Sequence, residues 1–254
     1  MPTAEIISIG TELLLGEILD TNAREIARAL RKVGVDLYRM TTVGDNPGRI
    51  AGAIRESLAR SQVVITTGGL GPTLDDPTRE AAAAALGLET VYHPRLWEII
   101  QQRFACYGRT PRENNKRQAY LPEGARVLPN RLGTAPAFVV EEGSQCLIAL
   151  PGVPKEMQVL LEESVLPYLV RTYSLEEVIL IRKLKTSGIG ESEIDHLISR
   201  YERMANPSVG LAAQDEGVEI RITAKADSRQ GAEAMIADLV QEMRALLGEW
   251  IVDA

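Results

Sequence analysis

The sequence is poor in cysteine and histidine, with two of each in 254 residues. Cys106 and Cys146 have neither the short spacing of a zinc motif nor the density of a disulfide-stabilised fold. Their scarcity is typical of proteins in a reducing compartment. His93 and His196 lie far apart in the sequence without metal-ligand spacing, and we assign neither a role.

Long apolar runs and an excess of basic residues are also absent. No run approaches the ~18 apolar residues of a transmembrane helix, and the N-terminus MPTAEIISIG lacks the basic start and long apolar core of a signal peptide. The 28 Lys and Arg residues are outnumbered by 35 Asp and Glu residues, which gives a net charge of −7. Nucleic-acid binding needs a basic surface. We therefore expect a cytoplasmic protein with no membrane partner and no nucleic-acid partner.

The first two-thirds of the chain alternate strand and helix patterns. Short apolar stretches predict strands at Glu5–Ile9, Val35–Val43 and Val63–Thr67. Helical periodicity follows each of them, at 23–33, 49–60 and 79–86. This rhythm predicts an α/β fold with a mostly parallel, doubly wound sheet. Such sheets bind ligands outside the carboxyl ends of their strands.

Further along the chain, a helix is predicted from the spacing of Leu96, Ile99, Ile100 and Phe104. Strands are predicted at 126–128, 137–142 and 146–150, and a helix at about 155–170. From Leu175 the pattern changes to β-α-β-β-α, which predicts a second, small α+β domain. Its predicted elements are strands at 178–186, 208–213 and 218–224, with a turn at Asp215–Gly217, and helices at 193–204 and 231–247. We place the boundary near Thr172–Glu176, which gives domains 1–172 and 173–254.

A glycine-rich turn follows the third predicted strand, in the segment TTGGLGPTLDDPT. Gly68, Gly69 and Gly71 allow backbone amides to approach an anion closely, ahead of a helix N-terminus. The segment continues with Pro72, Thr73, Asp75 and Asp76. Carboxylates beside an anion site suggest a cation between them, and Mg²⁺ is commonly held by one or two carboxylates plus phosphate oxygens.

The alternative for this segment is a tight turn in which Asp76 caps the following helix, with Pro77 in its first turn. One cap would explain one aspartate, but not both aspartates and three glycines. We therefore favour a metal-bound phosphate or pyrophosphate site.

A second polar cluster follows the first strand and contains Gly10, Thr11, Glu12, Asp20 and Asn22. On its own it predicts a helix cap, but its position at the same sheet edge makes a binding role equally plausible. Asp45 and Asn46 after the second strand are better explained by turn chemistry.

Three later segments are candidates for ligand contact. In the run Asn114–Gln118, Lys116 or Arg117 could neutralise a phosphate, although a solvated helix explains the run as well. Asn115 and Lys116 are the binding candidates of this run. The loops at Gly133–Pro136 and Pro151–Pro154 could offer backbone donors, but each is more often simply a turn. The candidates in these loops are Gly133, Thr134, Ala135, Pro151 and Gly152.

Several motifs in order make the sequence similar to a known family. GTELLLGEILDTN, TTGGLGPTLDDPTREA, NNKRQA, GTAPA and LPGVPKEM resemble the CinA (competence/damage-inducible protein) family and, more broadly, the molybdopterin-binding fold of MogA and MoeA proteins. The resemblance covers roughly residues 4–170. The second domain resembles the KH-like domain of CinA proteins. Longer members carry a C-terminal nicotinamide-nucleotide amidase domain, and the sequence ends where that domain would begin.

The resemblance implies a divalent-metal-dependent ADP-ribose pyrophosphatase that forms AMP and ribose 5-phosphate. It makes Asp20 and Asp76 the catalytic residues and, with Asp75, the metal ligands. The expected cofactor is Mg²⁺, Mn²⁺ or Co²⁺, with K⁺ as a candidate second ion, and the expected assembly is a homo-oligomer, with a dimer favoured. An enzyme of molybdopterin metabolism and a non-catalytic nucleotide-binding regulatory module are the alternatives.

Two positions depart from the family pattern. Ala137 stands where a glycine often follows GTAP, and a backbone of positive φ would be strained there. The KH-like domain has Ser187-Gly188-Ile189-Gly190-Glu191 in place of a clear G-x-x-G clamp. The second departure argues against RNA binding.

Overall fold

A computed structural model describes residues 2–175, 178–214 and 217–252. By its internal contacts the chain divides into two compact units, one of residues 1–30 and 35–174 and the other of residues 31–34 and 175–254. Two sequence predictions extend beyond the described residues. These are the turn predicted at Asp215–Gly217, of which only Gly217 is described, and Glu176 at the end of the predicted boundary.

The first unit is built on a six-stranded, mostly parallel sheet, as predicted. Its strands lie in the order β2-β1-β3-β8-β7-β6, with the first four parallel and the last two antiparallel; β4 and β5 form a separate antiparallel pair. The bounds are β1 Thr3–Ile9, β2 Asp36–Val43, β3 Val63–Thr67, β4 Thr90–Tyr92, β5 Tyr120–Pro122, β6 Arg126–Leu128, β7 Ala137–Glu142 and β8 Gln145–Leu150.

The main helices of this unit lie largely where the sequence predicts them. They are α1 Thr11–Leu14, α2 Thr21–Lys32, α3 Pro47–Leu58, α4 Thr78–Leu86, α5 Pro94–Cys106, a 3-10 helix Glu113–Ala119, α6 Pro154–Leu160, a π segment Leu161–Val165 and α7 Leu166–Thr172. The single helix predicted at 155–170 therefore contains a π segment. This segment ends two residues before Pro167, which lacks the N–H of a regular α-helical hydrogen bond.

The centre of the sheet is buried because its strands are covered on both faces. All five residues of β3 are buried, and β1 is buried from Ala4 to Ile9. Branched side chains such as Ile6, Ile7 and Ile65 fit this doubly covered surface.

The carboxyl ends of three neighbouring parallel strands bring the predicted loops together. Chain segments leave the sheet at Gly10 after β1, at Gly68 after β3 and at Pro151 after β8. The Gly68 N–H donates to the Leu150 carbonyl at 3.0 Å. A Cβ on Gly152 would lie 3.3 Å from Gly68 Cα, so these two loops pack backbone to backbone.

The second unit has the predicted β-α-β-β-α order. Its sheet has the antiparallel order β10-β11-β9, and its core is a separate cluster that includes Leu184, Ile198 and Ile222. The bounds are β9 Val178–Thr186, α8 Glu191–Glu202, β10 Ser208–Gln214, β11 Gly217–Ala226, α9 Arg229–Leu247 and a 3-10 helix Gly248–Trp250. Throughout the described chain, every helix is too short or too polar to cross a membrane.

Candidate active site

A cleft of about 420 Å³ lies at the carboxyl edge of the large sheet. The loops after β1, β3 and β8 contribute to it, and Thr134 and Ala135 close another side. The structure thus brings together many residues that the sequence suggested. These are Gly10, Glu12, Gly68, Gly69, Gly71, Pro72, Asp75, Asp76, Thr134, Ala135, Pro151 and Gly152.

The glycine turn is held in place through its carbonyl groups. The Thr78 hydroxyl donates to the Gly68 carbonyl at 2.9 Å, and the Thr78 N–H donates to the Gly69 carbonyl at 3.2 Å. The Arg79 guanidinium donates to the carbonyls of Leu70 and Gly71 at 2.6 and 2.7 Å. The turn is therefore fixed from behind, with its acceptors satisfied.

The amides of the same turn are free. Within the described residues, the N–H groups of Gly69, Leu70 and Gly71 make no hydrogen bond, and all three residues line the cleft. Gly68 and Gly69 have φ of 108° and 65°, which most side chains would not tolerate. Successive free amides in such a turn favour an anion.

Arg79 places a buried positive charge behind this turn. Its side chain is fully buried. Burial lowers the pKa of the Arg79 guanidinium, while the nearby carboxylates of Glu80 and Asp76 oppose that effect. An arginine remains protonated under such conditions because its ordinary pKa is so high. The charge adds to the attraction of the turn for an anion.

Asp76 does not cap α4, so the capping alternative for this segment does not hold. The helix begins at Thr78, its N-cap is Pro77, and no side chain caps it. The Asp76 carboxylate instead accepts hydrogen bonds from the N–H of Thr73, at 3.0 Å, and from the Thr73 hydroxyl. It therefore fixes the second half of the turn, while Arg117 donates to the Thr73 carbonyl at 2.7 Å.

Asp20 lies apart from the aspartates of the turn. Its carboxylate accepts from the Ala23 N–H at 2.9 Å and caps α2. It lines a smaller cavity of about 110 Å³ that shares Ile9, Glu12 and Gly152 with the main cleft. Asn22 lines the same small cavity.

Asn22 connects two of the loops. Its side-chain N–H₂ donates to the Thr67 hydroxyl at 2.9 Å and to the Gly152 carbonyl at 2.8 Å. The asparagine predicted to bind substrate therefore holds the end of β3 against the loop after β8.

The structure does not bring the three predicted metal ligands together. Over the described ranges, no group of three or more His, Cys, Asp or Glu side chains is placed to hold a metal ion. Single carboxylates do line the cleft, from Glu12, Asp45, Asp75, Asp76 and Glu156. This donor set suits a divalent ion only if the ligand's phosphate oxygens complete the coordination, which is how Mg²⁺ is often bound.

Besides Asp20 and Asn22, five predicted residues do not line the cleft. The Thr11 N–H donates to the Asp45 carboxylate at 2.8 Å. The Asn115 side chain accepts from the Arg112 N–H at 2.8 Å, and Lys116 lies 3.7 Å from Glu113 and over the Tyr92 ring. The lining also omits Thr73 and Gly133, although a Cβ on Gly133 would collide with the Glu156 carboxylate.

Asn130, which lies outside the lining of the cleft, and Gln118, which is part of it, were not singled out from the sequence. Asn130 organises the loop before β7: its side-chain oxygen accepts from the N–H groups of Leu132 and Gly133, and its amide donates to Ala135 and Glu156. Gln118 is buried and lines the cleft. Gln118 belonged to a noted polar run, but its burial leaves no signal in the sequence.

Ala137 is not strained by its departure from the family pattern. Of the non-glycine residues that the structure describes, Ser174 is the one with positive φ. Ala137 is the first residue of β7, where the backbone is extended. The loop therefore accommodates alanine at this position.

The comparisons with known proteins cover both units. The family model "Probable molybdopterin binding domain" matches residues 5–171, and "Damage-inducible protein CinA KH domain" matches residues 181–252. CinA-like proteins of Kosmotoga olearia and Dictyoglomus thermophilum are 46% and 43% identical over 98% and 97% of the chain, which spans 60% of each relative's length.

A solved structure agrees with these matches. The crystal structure of the protein CinA from Thermoplasma acidophilum has a TM-score of 0.60 and 34% identity, and the match covers 64% of this chain and 95% of that one. The chain belongs to the CinA family, with a molybdopterin-binding-like first domain followed by a KH-like domain.

Proposed function

We propose that the first unit hydrolyses the diphosphate bond of a nucleoside-diphosphate sugar, with ADP-ribose as the substrate and AMP and ribose 5-phosphate as the products. The observation that carries the proposal is the glycine turn, whose carbonyls are engaged while its amides at Gly69, Leu70 and Gly71 are free. Such a turn binds phosphate oxygens without rearranging.

The carboxylates of the cleft support a cation requirement. Asp75 and Asp76 line the same cleft as the free amides, and their charge would repel a bare diphosphate. In the proposed complex these two carboxylates hold a divalent ion together with phosphate oxygens. The ion would offset charge on the attacked phosphoryl group and favour ionisation of a bound water. The turn orients the diphosphate, and Arg79 stabilises the turn and its negative ligand.

The two predicted catalytic aspartates provide a matched pair of variants. We expect Asp76→Asn to lower kcat by about 100-fold or more, since it removes a charge from the cleft. Asp20→Asn should have a much smaller effect, because Asp20 lines the adjoining cavity and an asparagine still caps α2. Circular dichroism and thermal melts should show both variants folded. Equal losses of kcat would contradict the assignment of the cation to the turn.

A substrate panel tests the proposed reaction. Purified protein would be incubated with ADP-ribose, NAD, FAD and adenylylated molybdopterin in the presence of Mg²⁺, Mn²⁺ or Co²⁺, and the products separated by chromatography. Metal-dependent release of AMP and ribose 5-phosphate supports the proposal. Turnover of adenylylated molybdopterin alone would replace it with a role in molybdopterin metabolism, which the description of the matching domain favours. Binding without turnover of any compound would indicate a regulatory module.

A further inference from the structure

Gln118 is a buried polar side chain on the wall of the cleft. Its exposed fraction is 1%, and it lines the same cavity as the glycine turn. Its side-chain oxygen, Oε1, is buried and has no hydrogen-bond partner anywhere in the described parts of the chain. Buried amide oxygens are normally paired, so an unpaired one at a binding cleft points to a partner supplied by the ligand.

The backbone around Gln118 is held on both sides. On one side, Arg117 donates to the Thr73 carbonyl at 2.7 Å and to Glu80 at 3.0 Å, which joins the 3-10 helix to the glycine turn. On the other side, the His93 N–H donates to the Ala119 carbonyl at 2.9 Å. Gln118 is therefore placed in a fixed position beside the turn.

The chemistry of the unpaired atom excludes an ionised diphosphate as its partner. Oε1 can only accept a hydrogen bond, and phosphate oxygens are acceptors as well. The free amides of the turn are the donors that suit the phosphates. A sugar hydroxyl or the amino group of a base would be a donor for Oε1.

We infer that Gln118 is a specificity-determining residue, which accepts a hydrogen bond from a hydroxyl or amino group on the sugar or base of the ligand. The inference rests on the proposed function, since it concerns a nucleotide bound through its diphosphate at the glycine turn. By this inference, the hydrogen bond to Gln118 makes a nucleotide bind more tightly than it would without that side chain, whereas free pyrophosphate gains nothing from it.

The test compares Gln118→Met with Gln145→Met. Gln145 is a structural glutamine, because its side chain donates to the carbonyls of Ser61, at 3.0 Å, and Leu58. Without ligand, Gln118→Met should melt at or above the wild-type temperature, since it removes an unpaired buried acceptor. Gln145→Met should melt lower, since it leaves two carbonyls without their donor.

Isothermal titration with ADP-ribose and with inorganic pyrophosphate gives the second measurement. Gln118→Met should weaken ADP-ribose binding about tenfold, the loss of one hydrogen bond, and leave pyrophosphate binding within about twofold. Gln145→Met should change neither. Equal weakening of both ligands, weakening of neither, or a Gln118→Met melt as low as that of Gln145→Met would overturn the inference.

The same titrations separate this inference from the proposed function. A wild-type protein that binds pyrophosphate and some nucleotide, but not ADP-ribose, would remove ADP-ribose as the substrate. The comparison would then be made with whichever of AMP, NAD or FAD binds, and a tenfold selective loss in Gln118→Met would still support the role of Gln118. A wild-type protein that binds no nucleotide more tightly than pyrophosphate would overturn it.

Discussion

At Gly68 the backbone passes so close to β1 that no side chain fits. The residue has φ of 108°, and a Cβ there would collide with the carbonyl oxygen of Ile9. Both strain and collision therefore oppose any other residue at the start of the turn.

We expect Gly68→Ala to lower the free energy of unfolding by about 3 kcal/mol or more, and to abolish pyrophosphate binding in whatever protein remains folded. Gly87→Ala is the matched control: φ is 68°, but a Cβ there would meet nothing within 4 Å. Gly87→Ala should lower the free energy of unfolding by about 1 kcal/mol and leave pyrophosphate binding intact. Urea unfolding and titration calorimetry provide the measurements, and similar losses for the two variants would contradict this explanation.

Arg79 holds the same turn from behind, and a lysine cannot replace it. The guanidinium contacts two carbonyls, of Leu70 and Gly71, whereas an ammonium group is a compact donor that cannot span both in one plane. Arg79→Lys should lower the free energy of unfolding by about 2 kcal/mol. It should weaken the free energy of pyrophosphate binding by at least the same amount. Arg117→Lys, at a half-exposed position, should have smaller effects on both. Thermal melts and calorimetry on the two variants check this, and a larger effect at Arg117 would refute it.

The residues of the site differ in how far the sequence could reveal them. Gly68, Gly69 and Gly71 were found because glycine has a distinctive conformational freedom. Gln118 and Lys116 belong to one polar run, yet the structure buries the first and places the second on Tyr92 and Glu113. The alternative interpretation of Asp76 as a helix cap does not hold either, because its carboxylate accepts hydrogen bonds from Thr73. These outcomes depend on tertiary contacts, which the local sequence pattern does not reveal.

Among whole elements, strong periodicity made the prediction reliable. The long strands and helices were expected within a few residues of their bounds in the structure. The elements that were missed are short: α1 has four residues, and β4, β5 and the 3-10 helix Gly248–Trp250 have three each. Three or four residues are too few to establish a period of 2 or 3.6. The pairing of β4 with β5 joins distant segments, which no local signal records.

One contact between elements gives the fold a dependence on pH. Glu5 of β1 is buried and accepts hydrogen bonds from Arg60 at 2.7 and 2.9 Å, from Ser57 at 2.9 Å and from Ser61 at 3.1 Å. Burial alone would raise the pKa of Glu5, but these hydrogen bonds outweigh it and hold the pKa below the usual 4.5. The stabilisation is therefore complete well above pH 4.5 and is lost as the pH falls through the lowered native pKa.

Glu5→Gln should accordingly lower the free energy of unfolding by about 2 kcal/mol at neutral pH, with a smaller difference from wild type at acid pH. Urea unfolding of both proteins at neutral pH and below the native pKa measures this. Glu25→Gln removes a half-exposed pair with Arg28 and should change stability by no more than about 0.5 kcal/mol at either pH. If the free energy of unfolding of Glu5→Gln differed from that of wild type by the same amount at both pH values, the charge of the Glu5 carboxylate would not be the source of the stabilisation.

At the scale of the whole molecule, each unit has its own core. The cluster around Ile7, Val64 and Phe138 consists of residues of the first unit, and the cluster around Ile198, Ile222 and Met243 consists of residues of the second. The residues that line the cleft extend from Ile9 to Glu156, so all of them precede Ser174. A fragment that ends at Ser174 contains the whole cluster around Ile7 and every residue that lines the cleft.

We therefore expect residues 1–174 alone to fold and to bind pyrophosphate with wild-type affinity. The end point matters because the Tyr173 hydroxyl shares its single hydrogen between two carbonyls. These are the carbonyl of Ser144, at 3.1 Å, between β7 and β8, and that of Gln62, at 3.2 Å, just before β3. A fragment that ends at Thr172 loses this shared hydrogen bond and should be less stable by about 1 kcal/mol, or about 3 °C in melting temperature. Calorimetric melting of the two fragments, with and without pyrophosphate, compares them directly. A folded 1–174 fragment that binds no pyrophosphate would mean that the second unit, or a partner chain, completes the site.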